Sequence, residues 1–393
     1  MTNTLNQAQK SKNPKKLCIF ITTGGTGGHV FPAQALANVL LDYKVVVLVD
    51  KRATKYNQGW NEKINLKTVY SLGLHNKKIW QILKILYFTA LGFFQSLYYV
   101  IRYRPRAIVS FGSYASLPVV LAGILTKIPI IMHEQNAALG KAHKSLAKFV
   151  KIIALSFAET RGIPKNTPTV FTGLPVRKEF LDLAASSNNN IPKDLAIIDK
   201  KIITLSILGG SQGAKALSTI IPEAFLSLNA TQQSHFSVYH QCRPQDLEQT
   251  KALWQTTKVQ FVIKPFFTDM ATIMQLSDLL ISRSGASIMA EIEMLKKFAI
   301  YVPFAKAVDN HQYFNALAAK KKNKAAIILE QDFSSNSLSV FLHELLNPGS
   351  NLNNQLTLFK ENLLSIQQDN CKGGVAQANA NDKLMGIIHS IIG

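Results

Sequence analysis

The chain has 393 residues, enough for two domains with separate cores, and its 47% hydrophobic content excludes a disordered polymer. With 44 Lys and Arg against 23 Asp and Glu the net charge is +21, so the expected partner is anionic, either nucleic acid or an anionic membrane surface. Cys18, Cys242 and Cys371 have neither metal nor redox spacing, which excludes a disulfide framework and a zinc site and points to reduced thiols in a cytoplasmic protein.

The polar, lysine-bearing start, MTNTLNQAQKSKNPKK, reads as a frayed leader, because the apolar run after it is too short for a signal segment. That run, CIFITT, is a strand, followed by GGTGGH and a helical stretch beginning near Pro32. Glycines let backbone N–H groups approach a ligand, and a helix N-terminus carries partial positive charge, so this turn suits phosphate. Its spacing fits neither common nucleotide fingerprint: Val30 stands where G-x-G-x-x-G needs its third glycine, and no Gly-Lys-Ser or Gly-Lys-Thr follows Gly24. A dinucleotide dehydrogenase and a P-loop ATPase are therefore disfavoured.

Further on, the stretch from Ile85 to Ile101 carries no charge and is close to the lower limit for a membrane span, about 17 residues. Lys77, Gln81, Lys84, Gln95 and Arg102 fall on one narrow stripe at helical spacing. The pattern predicts a helix mostly buried or interfacial, with one wet edge, rather than a span; Lys77, Lys78 and Lys84 beside Trp80, Leu83, Leu86 and Phe88 would dock it on an anionic membrane.

Strands and helices then alternate. KVVVLVD, AIVSF, IPIIMHE, KIIALS and TVFTG complete a first series of strands; IITLSILGG, FSVYHQC, VQFVIKPF, LLISR, FAIYVPF and AAIILE form a second. Val- and Ile-rich runs separated by helices predict parallel sheets covered on both faces. The polar interval LDLAASSNNNIPKDLAIIDKK lies between the series as a surface segment. The glycine turn recurs at Gly209, Gly210 and Gly213, and in shorter form at Gly285. Two Rossmann-like domains opening on such turns would enclose a cleft beyond the carboxyl ends of their strands.

The ordered series GGTGGHVFPA, SFGSYASLP, HEQNAALGKAHK, GLPVRKEF, GGSQGAKALS, SRSGASIMAEI and VPFAKAVDNHQYFNA, spread over nearly the whole chain, resembles the MurG family of bacterial glycosyltransferases. The resemblance implies an α/β GT-B fold, two Rossmann-like domains with parallel sheets facing a central cleft. It divides the chain into residues 1–173, an acceptor and membrane-contact domain; 174–372, a donor domain; and 373–393, a helix returning to the first domain. It implies transfer of N-acetylglucosamine from its UDP form (UDP-GlcNAc) to the muramyl 4-hydroxyl of undecaprenyl-pyrophosphoryl-MurNAc-pentapeptide (lipid I). The enzyme would be peripheral on the anionic cytoplasmic face of the inner membrane, would need no cofactor or obligatory metal, and could meet other cell-wall synthesis proteins. The chain contains no Asp-x-Asp pair with which to hold a metal diphosphate.

Residue by residue, the resemblance places Thr26, Gly27 and Gly28 against the donor from the first domain, and Ser211 and Gln212 against it from the second. Arg177 matches a donor-site arginine suited to phosphate oxygens. Glu291 matches a carboxylate that accepts ribose hydroxyls, and Phe267 a residue whose backbone pairs with the uracil edge. Ala286, Ser287, Ile288, Met289 and Ala290 complete the nucleotide stretch, and His311 with Gln312 would read sugar hydroxyls. His29 is the candidate general base, since a neutral imidazole suits that task near pH 7. It could instead hold its loop by hydrogen bonds, leaving Glu134 as the rival. Asn136 matches a donor or catalytic-centre position, and Tyr114 a residue near the acceptor. Leu174 stands where the family usually has Asn, and Ser113 and Leu117 also depart from the pattern, which bears on acceptor geometry.

Two other readings remain at this point. A different GT-B enzyme, such as a UDP-sugar glycolipid transferase or a UDP-N-acetylglucosamine 2-epimerase, would share the glycine turns and Glu291. A nucleic-acid-binding protein would use the charge, but no aromatic-interleaved basic motif or recognisable module accompanies it.

Overall fold

The computed structural model describes residues 16–72, 79–185, 203–210, 214–321, 325–347 and 380–393. The first half is a parallel sheet of β1 (Cys18–Thr23), β2 (Lys44–Val49), β3 (Asn65–Thr68), β4 (Ala107–Ser110), β5 (Ile130–Glu134), β6 (Ile152–Leu155) and β7 (Thr169–Phe171), in the order β3-β2-β1-β4-β5-β6-β7. Alternate side chains of β1 and β2 enter two different cores: Ile19, Ile21, Val45 and Val47 one, and Phe20, Val46 and Leu48 the other. A strand buried on both faces has no polar side, which is why these segments read as unbroken apolar runs.

The second half repeats the plan with β8 (Ile203–Leu208), β9 (Phe236–Gln241), β10 (Gln260–Lys264), β11 (Leu279–Ser282), β12 (Ala299–Tyr301) and β13 (Ala325–Ile327), in the order β10-β9-β8-β11-β12-β13. All the strands read from the sequence are present. Strand β3 was not among them, because Asn-Leu-Lys-Thr is a polar edge strand without an apolar run.

Helices α1 (Gly27–Val39), α2 (Ile79–Tyr103), α3 (Leu117–Leu125) and α4 (Lys141–Leu146) belong to the first half. The second half carries α5 (Lys178–Ala185), α6 (Lys215–Phe225), α7 (Ala230–Gln233), α8 (Leu247–Gln255), α9 (Met270–Leu276), α10 (Ala286–Met294), α11 (His311–Lys321) and α12 (Ser335–Leu346). The final helix, α13 (Ala380–Ile392), puts Leu384, Ile388 and Ile392 into the core of the first half, with Ile19 and Leu36. Since Leu338, Leu342 and Leu345 of α12 pack in the second half, the chain crosses between the halves twice. The first crossing is at Thr172 and Gly173, after which Leu174 and Val176 already belong to the second core. Gly173 has φ +82°, a region open to glycine, and its carbonyl accepts from the buried His133 Nε2 at 3.0 Å.

In each sheet the strand order reverses beside one central strand, between β1 and β4 and between β8 and β11. Ligands of such folds lie at this switch point, beyond the strand ends. The loops emerging there are Gly24–Thr26, Phe111–Ser113, Gly209–Gly210 and Arg283–Gly285.

Of the two alternatives for helix α2, buried or interfacial, the mostly buried one does not hold. Its protein-facing seam is Gly92, Ser96 and Val100, while Trp80, Leu83, Leu86, Phe94, Tyr98 and Ile101 are exposed. A side chain at Gly92 would meet the Tyr70 carbonyl oxygen at 2.0 Å, so glycine lets the helix lie directly on the chain following β3. Gln95, from the polar stripe, accepts from Tyr70 N and donates to Thr68 O, both at 3.0 Å, and so covers the open edge of β3. The small and polar side turns inward and much of the apolar side outward. Among the described residues α2 alone is long and apolar enough to cross a membrane, and 17% of its apolar window is buried.

Candidate active site

The opening glycine loop is held by a residue that the motif did not reveal. Asp50, at the end of β2, accepts from Gly25 N at 3.0 Å, Ala53 N at 3.1 Å and Arg52 Nε at 2.6 Å. Gly24 has no room for a side chain, since a Cβ there would lie 2.5 Å from the Ala115 Cβ. The β1 loop therefore closes against the side chains of Ala115 and Asp50, with Ser113 beside Gly25. Tyr114 opens a one-turn 3₁₀ helix and its side chain is exposed.

Helix α1 starts at Gly27, earlier than its apolar periodicity suggested, so Gly27, Gly28 and His29 form its first turn. Thr26 precedes it in extended conformation, and no side chain caps this end. The same holds for α10: Gly285 is its N-cap, no side chain caps it, and its first turn, with Ala286, Ser287 and Ile288, has no acidic residue. The two N-termini meet across the cleft, where Ser287 Oγ donates to the Gly28 carbonyl at 2.9 Å. Two uncapped helix starts concentrate unpaired N–H groups and partial positive charge at one place.

His29 is half-buried, and its tautomer follows from its neighbours. Gln135 Nε2 donates to the Phe111 carbonyl at 2.9 Å and to the His133 carbonyl at 3.0 Å, which turns Oε1 toward His29. His29 Nδ1 lies 2.9 Å from the Phe111 carbonyl and 3.0 Å from this Oε1; both are acceptors, so Nδ1 carries the proton. Nε2 is left as the basic nitrogen. Burial lowers the His29 pKa below its ordinary 6.5, while the Glu134 charge and the bonds to Phe111 and Gln135 offset part of that.

Glu134 is buried and accepts from Asn136 N at 3.0 Å, Asn136 Nδ2 at 3.2 Å, Gly140 N at 3.0 Å and His143 Nδ1 at 2.7 Å. Burial alone would raise its pKa, but His143 and the two backbone amides more than reverse that and hold it at about 2. A carboxylate with four donors organises its loop. Asn136, oriented by that bond, accepts from Asn315 Nδ2 of α11 at 3.1 Å.

On the second half, Glu291 is buried and paired with Arg177, whose Nε and a terminal guanidinium nitrogen both lie 2.9 Å from Oε1. Burial pushes the Glu291 pKa up, and Arg177 offsets this only in part. The Arg177 guanidinium also meets Glu179 at 3.0 Å and sits between Phe31 of α1, 4.5 Å away, and Phe180 of α5, 4.9 Å away. Its fork thus faces carboxylates here. Phe267, just beyond β10, is buried edge-on against Tyr239. Gln312 Oε1 accepts from Phe304 N at 3.0 Å, and His311 Nδ1 lies 2.7 Å from the Val308 carbonyl. Met289 and Ala290 are buried in the second core. Ser211 and Gln212 lie outside the described residues.

Four site residues had no role assigned from sequence: Gln135, His143, Arg283 and Asn315. Arg283 is buried, donates to the Val302 carbonyl at 3.0 Å and pairs with Glu330, which also accepts from Ala305 N at 2.8 Å. It fixes the loop that leads to Gln312. All four stand inside the quoted motifs, and the signal was a polar side chain within an otherwise small or apolar run. Among the described residues no group of His, Cys, Asp or Glu is placed to hold a metal ion.

Two parallel-sheet α/β halves, with switch-point loops facing one cleft, define a GT-B glycosyltransferase. Residues 19–155 match the glycosyltransferase family 28 N-terminal domain and residues 204–368 its C-terminal domain; the chain belongs to glycosyltransferase family 28. It is 38% identical over 335 residues to the UDP-N-acetylglucosamine–N-acetylmuramyl-(pentapeptide) pyrophosphoryl-undecaprenol N-acetylglucosamine transferase of Paramagnetospirillum magneticum, covering 84% of this chain and 88% of that one. The protein of the same name from Rhodospirillum rubrum is 34% identical, with 84% of each chain covered. Among solved structures, Acinetobacter baumannii MurG matches with a TM-score of 0.70 and 26% identity, over 95% of this chain and 99% of that one. The UDP-GlcNAc 2-epimerase of Neisseria meningitidis matches at 0.62 with 12% identity, over 95% of this chain and 100% of that one, a likeness of fold alone.

Proposed function

We propose that the protein transfers N-acetylglucosamine from UDP-GlcNAc to the 4-hydroxyl of the muramyl residue in undecaprenyl-pyrophosphoryl-MurNAc-pentapeptide, giving lipid II and UDP for peptidoglycan synthesis. The relatives named for this reaction support it over most of the chain, whereas the epimerase shares only the fold. In the site, the observation that carries the reading is the basic Nε2 of His29, on the first turn of α1, next to the paired starts of α1 and α10.

The reaction is a single inverting displacement. As the muramyl oxygen attacks the anomeric carbon of the α-linked sugar, its proton passes to His29 Nε2, and Nδ1–H stays on the Phe111 carbonyl and Gln135. The bond to the diphosphate breaks on the opposite face, and the growing charge on UDP meets the amides at the start of α10 and the switch-point glycines. Glu291 receives the ribose hydroxyls, with Arg177 beside it to neutralise the carboxylate. Glu134 shapes the loop that carries Asn136 toward the donor. Tyr114, Ser113 and Leu117 border the acceptor side.

The lipid-linked acceptor requires a membrane, and the exposed apolar face of α2 supports peripheral docking on the cytoplasmic face of the inner membrane. Lys84 and Arg102 flank that face, so anionic lipid adds electrostatic attraction. Mass spectrometry of the products from UDP-GlcNAc and a short-chain acceptor lipid tests the reading: the disaccharide lipid plus UDP is expected. Epimerised nucleotide sugar with unchanged lipid would overturn it.

A further inference from the structure

Behind His29 lies a second histidine that the displacement does not use. His143 on α4 is 5% exposed; its Nδ1 donates to Glu134, while its Nε2 is buried without a hydrogen-bond partner. A buried nitrogen of this kind is costly unless it serves a purpose. It lies beside Gly112: a Cβ there would be 3.1 Å from His143 Nε2 and 3.8 Å from His29 Cε1. Gly112, at φ +77°, thus leaves open a space that both imidazoles border.

We propose that His143, backed by Glu134, is a positioning residue that sets the proton affinity of His29. The inference rests on His29 being the base of the proposed transfer. With His143 neutral, the pair carries the charge of Glu134, which favours the proton that His29 takes from the acceptor hydroxyl. A proton on His143 Nε2 makes the pair neutral and turns an N–H toward the same space, which opposes a second proton on His29. The other titratable groups nearby do not duplicate this. His133 on β5 is buried, bonded through Nε2 to Gly173, and burial holds its pKa at about 4. Lys141 and Lys144 on α4 turn elsewhere, Lys141 to Asp309 at 3.5 Å and Lys144 toward Gly162.

Two substitutions with opposite signs separate this electrostatic role from a merely structural one. His143→Asn keeps a donor for Glu134 and removes the second imidazole, whose charge opposes a proton on His29, so the His29 midpoint should rise. Glu134→Gln removes the negative charge, so the midpoint should fall. The midpoint is read directly from the His29 Cε1–H resonance in an NMR titration of the full chain, with thermal melting as the check on folding. His143→Gln serves if the asparagine variant does not fold. The acid limb of kcat/KM should move in the same direction as the resonance in each variant. An unchanged His29 midpoint in a folded His143 variant overturns the proposal. A midpoint that moves while the acid limb stays supports the coupling and overturns His29 as the base.

Discussion

Asn315 of α11 and Asn136 beyond β5 join the two halves side chain to side chain, Nδ2 to Oδ1 at 3.1 Å. Asn315 is fully buried; its Oδ1 accepts from Ala137 N at 2.8 Å, and its Nδ2 also donates to the Ser284 carbonyl at 3.1 Å. One amide thus fixes the loop after β5, the loop after β11 and the start of α11 together. Asn315→Leu keeps the branching and strips these bonds, at about 1–3 kcal/mol for each buried group left unpaired. Urea unfolding should show the loss, and kcat should fall with it; a variant as stable and active as the parent would remove Asn315 from this role.

His29→Ala is expected to lower kcat by about a hundred- to ten-thousandfold with little change in UDP affinity, because help from a general base is exerted in the transition state. Steady-state rates paired with calorimetric titration of UDP measure both. Near-normal turnover in the folded variant would take the proton-accepting role away from His29.

For Glu291 the expected signature is discrimination. A buried carboxylate accepting both ribose hydroxyls loses a charge-assisted bond when the 2′ hydroxyl is missing, at about 1.5–3 kcal/mol, or roughly ten- to a hundredfold in affinity. The parent should bind UDP more tightly than 2′-deoxy-UDP, and Glu291→Ala should erase the difference. Because Arg177 loses its buried partner in that variant, both nucleotides will also shift together; the ratio between them is the decisive quantity. An unaltered ratio would leave Glu291 with only its tie to Arg177.

Acid stability should depend on Glu134. Its pKa in the folded chain, about 2, is below the ordinary 4.5, so its contribution is complete above that ordinary value and is lost as pH falls from 4.5 toward 2. The shift corresponds to about 3 kcal/mol. Urea midpoints measured through this window should fall more steeply for the parent than for Glu134→Gln. Parallel curves would mean that other carboxylates govern acid unfolding.

Helix α2 should carry the membrane contact. Replacing Leu83, Leu86 and Phe94 by Glu or Ser should weaken sedimentation with anionic liposomes while leaving turnover of a soluble acceptor analogue intact. Replacing Lys84 by Glu should act in the same direction and lose its effect at high salt. Unchanged sedimentation in both would place the bilayer against another surface. Lys77 and Lys78, just before α2, lie outside the described residues.

The two-sheet plan was legible because strands buried on both faces leave long apolar runs, and because the switch-point loops are marked by glycine. Strand β3 was not legible, since an edge strand closed by Gln95 needs no apolar pattern of its own. For α2 the periodicity disclosed a polar stripe but not which side faces the protein; that was decided by Gly92 seating on the Tyr70 carbonyl, a contact distant in sequence. The site residues named from the motif series were partly brought together, His29 with Gly28 and Ser287, and Arg177 with Glu291. Their supports, Asp50, Gln135, His143 and Asn315, became visible only once loops far apart in the chain were placed side by side. A glutamate on an otherwise apolar helix is by default solvent-facing, and only the approach of Arg177 from another segment permits Glu291 to be buried.

The second crossing of the chain has a mechanical consequence. Gly173 marks one junction, and α13 is returned to the core beside Ile19, so the last helix belongs to the first half. Any swing that opens the cleft moves one half against the other. A label on the C-terminal residue therefore travels with the half that carries His29, although it follows the other half in sequence, and distances measured from it to α12 would report the swing itself.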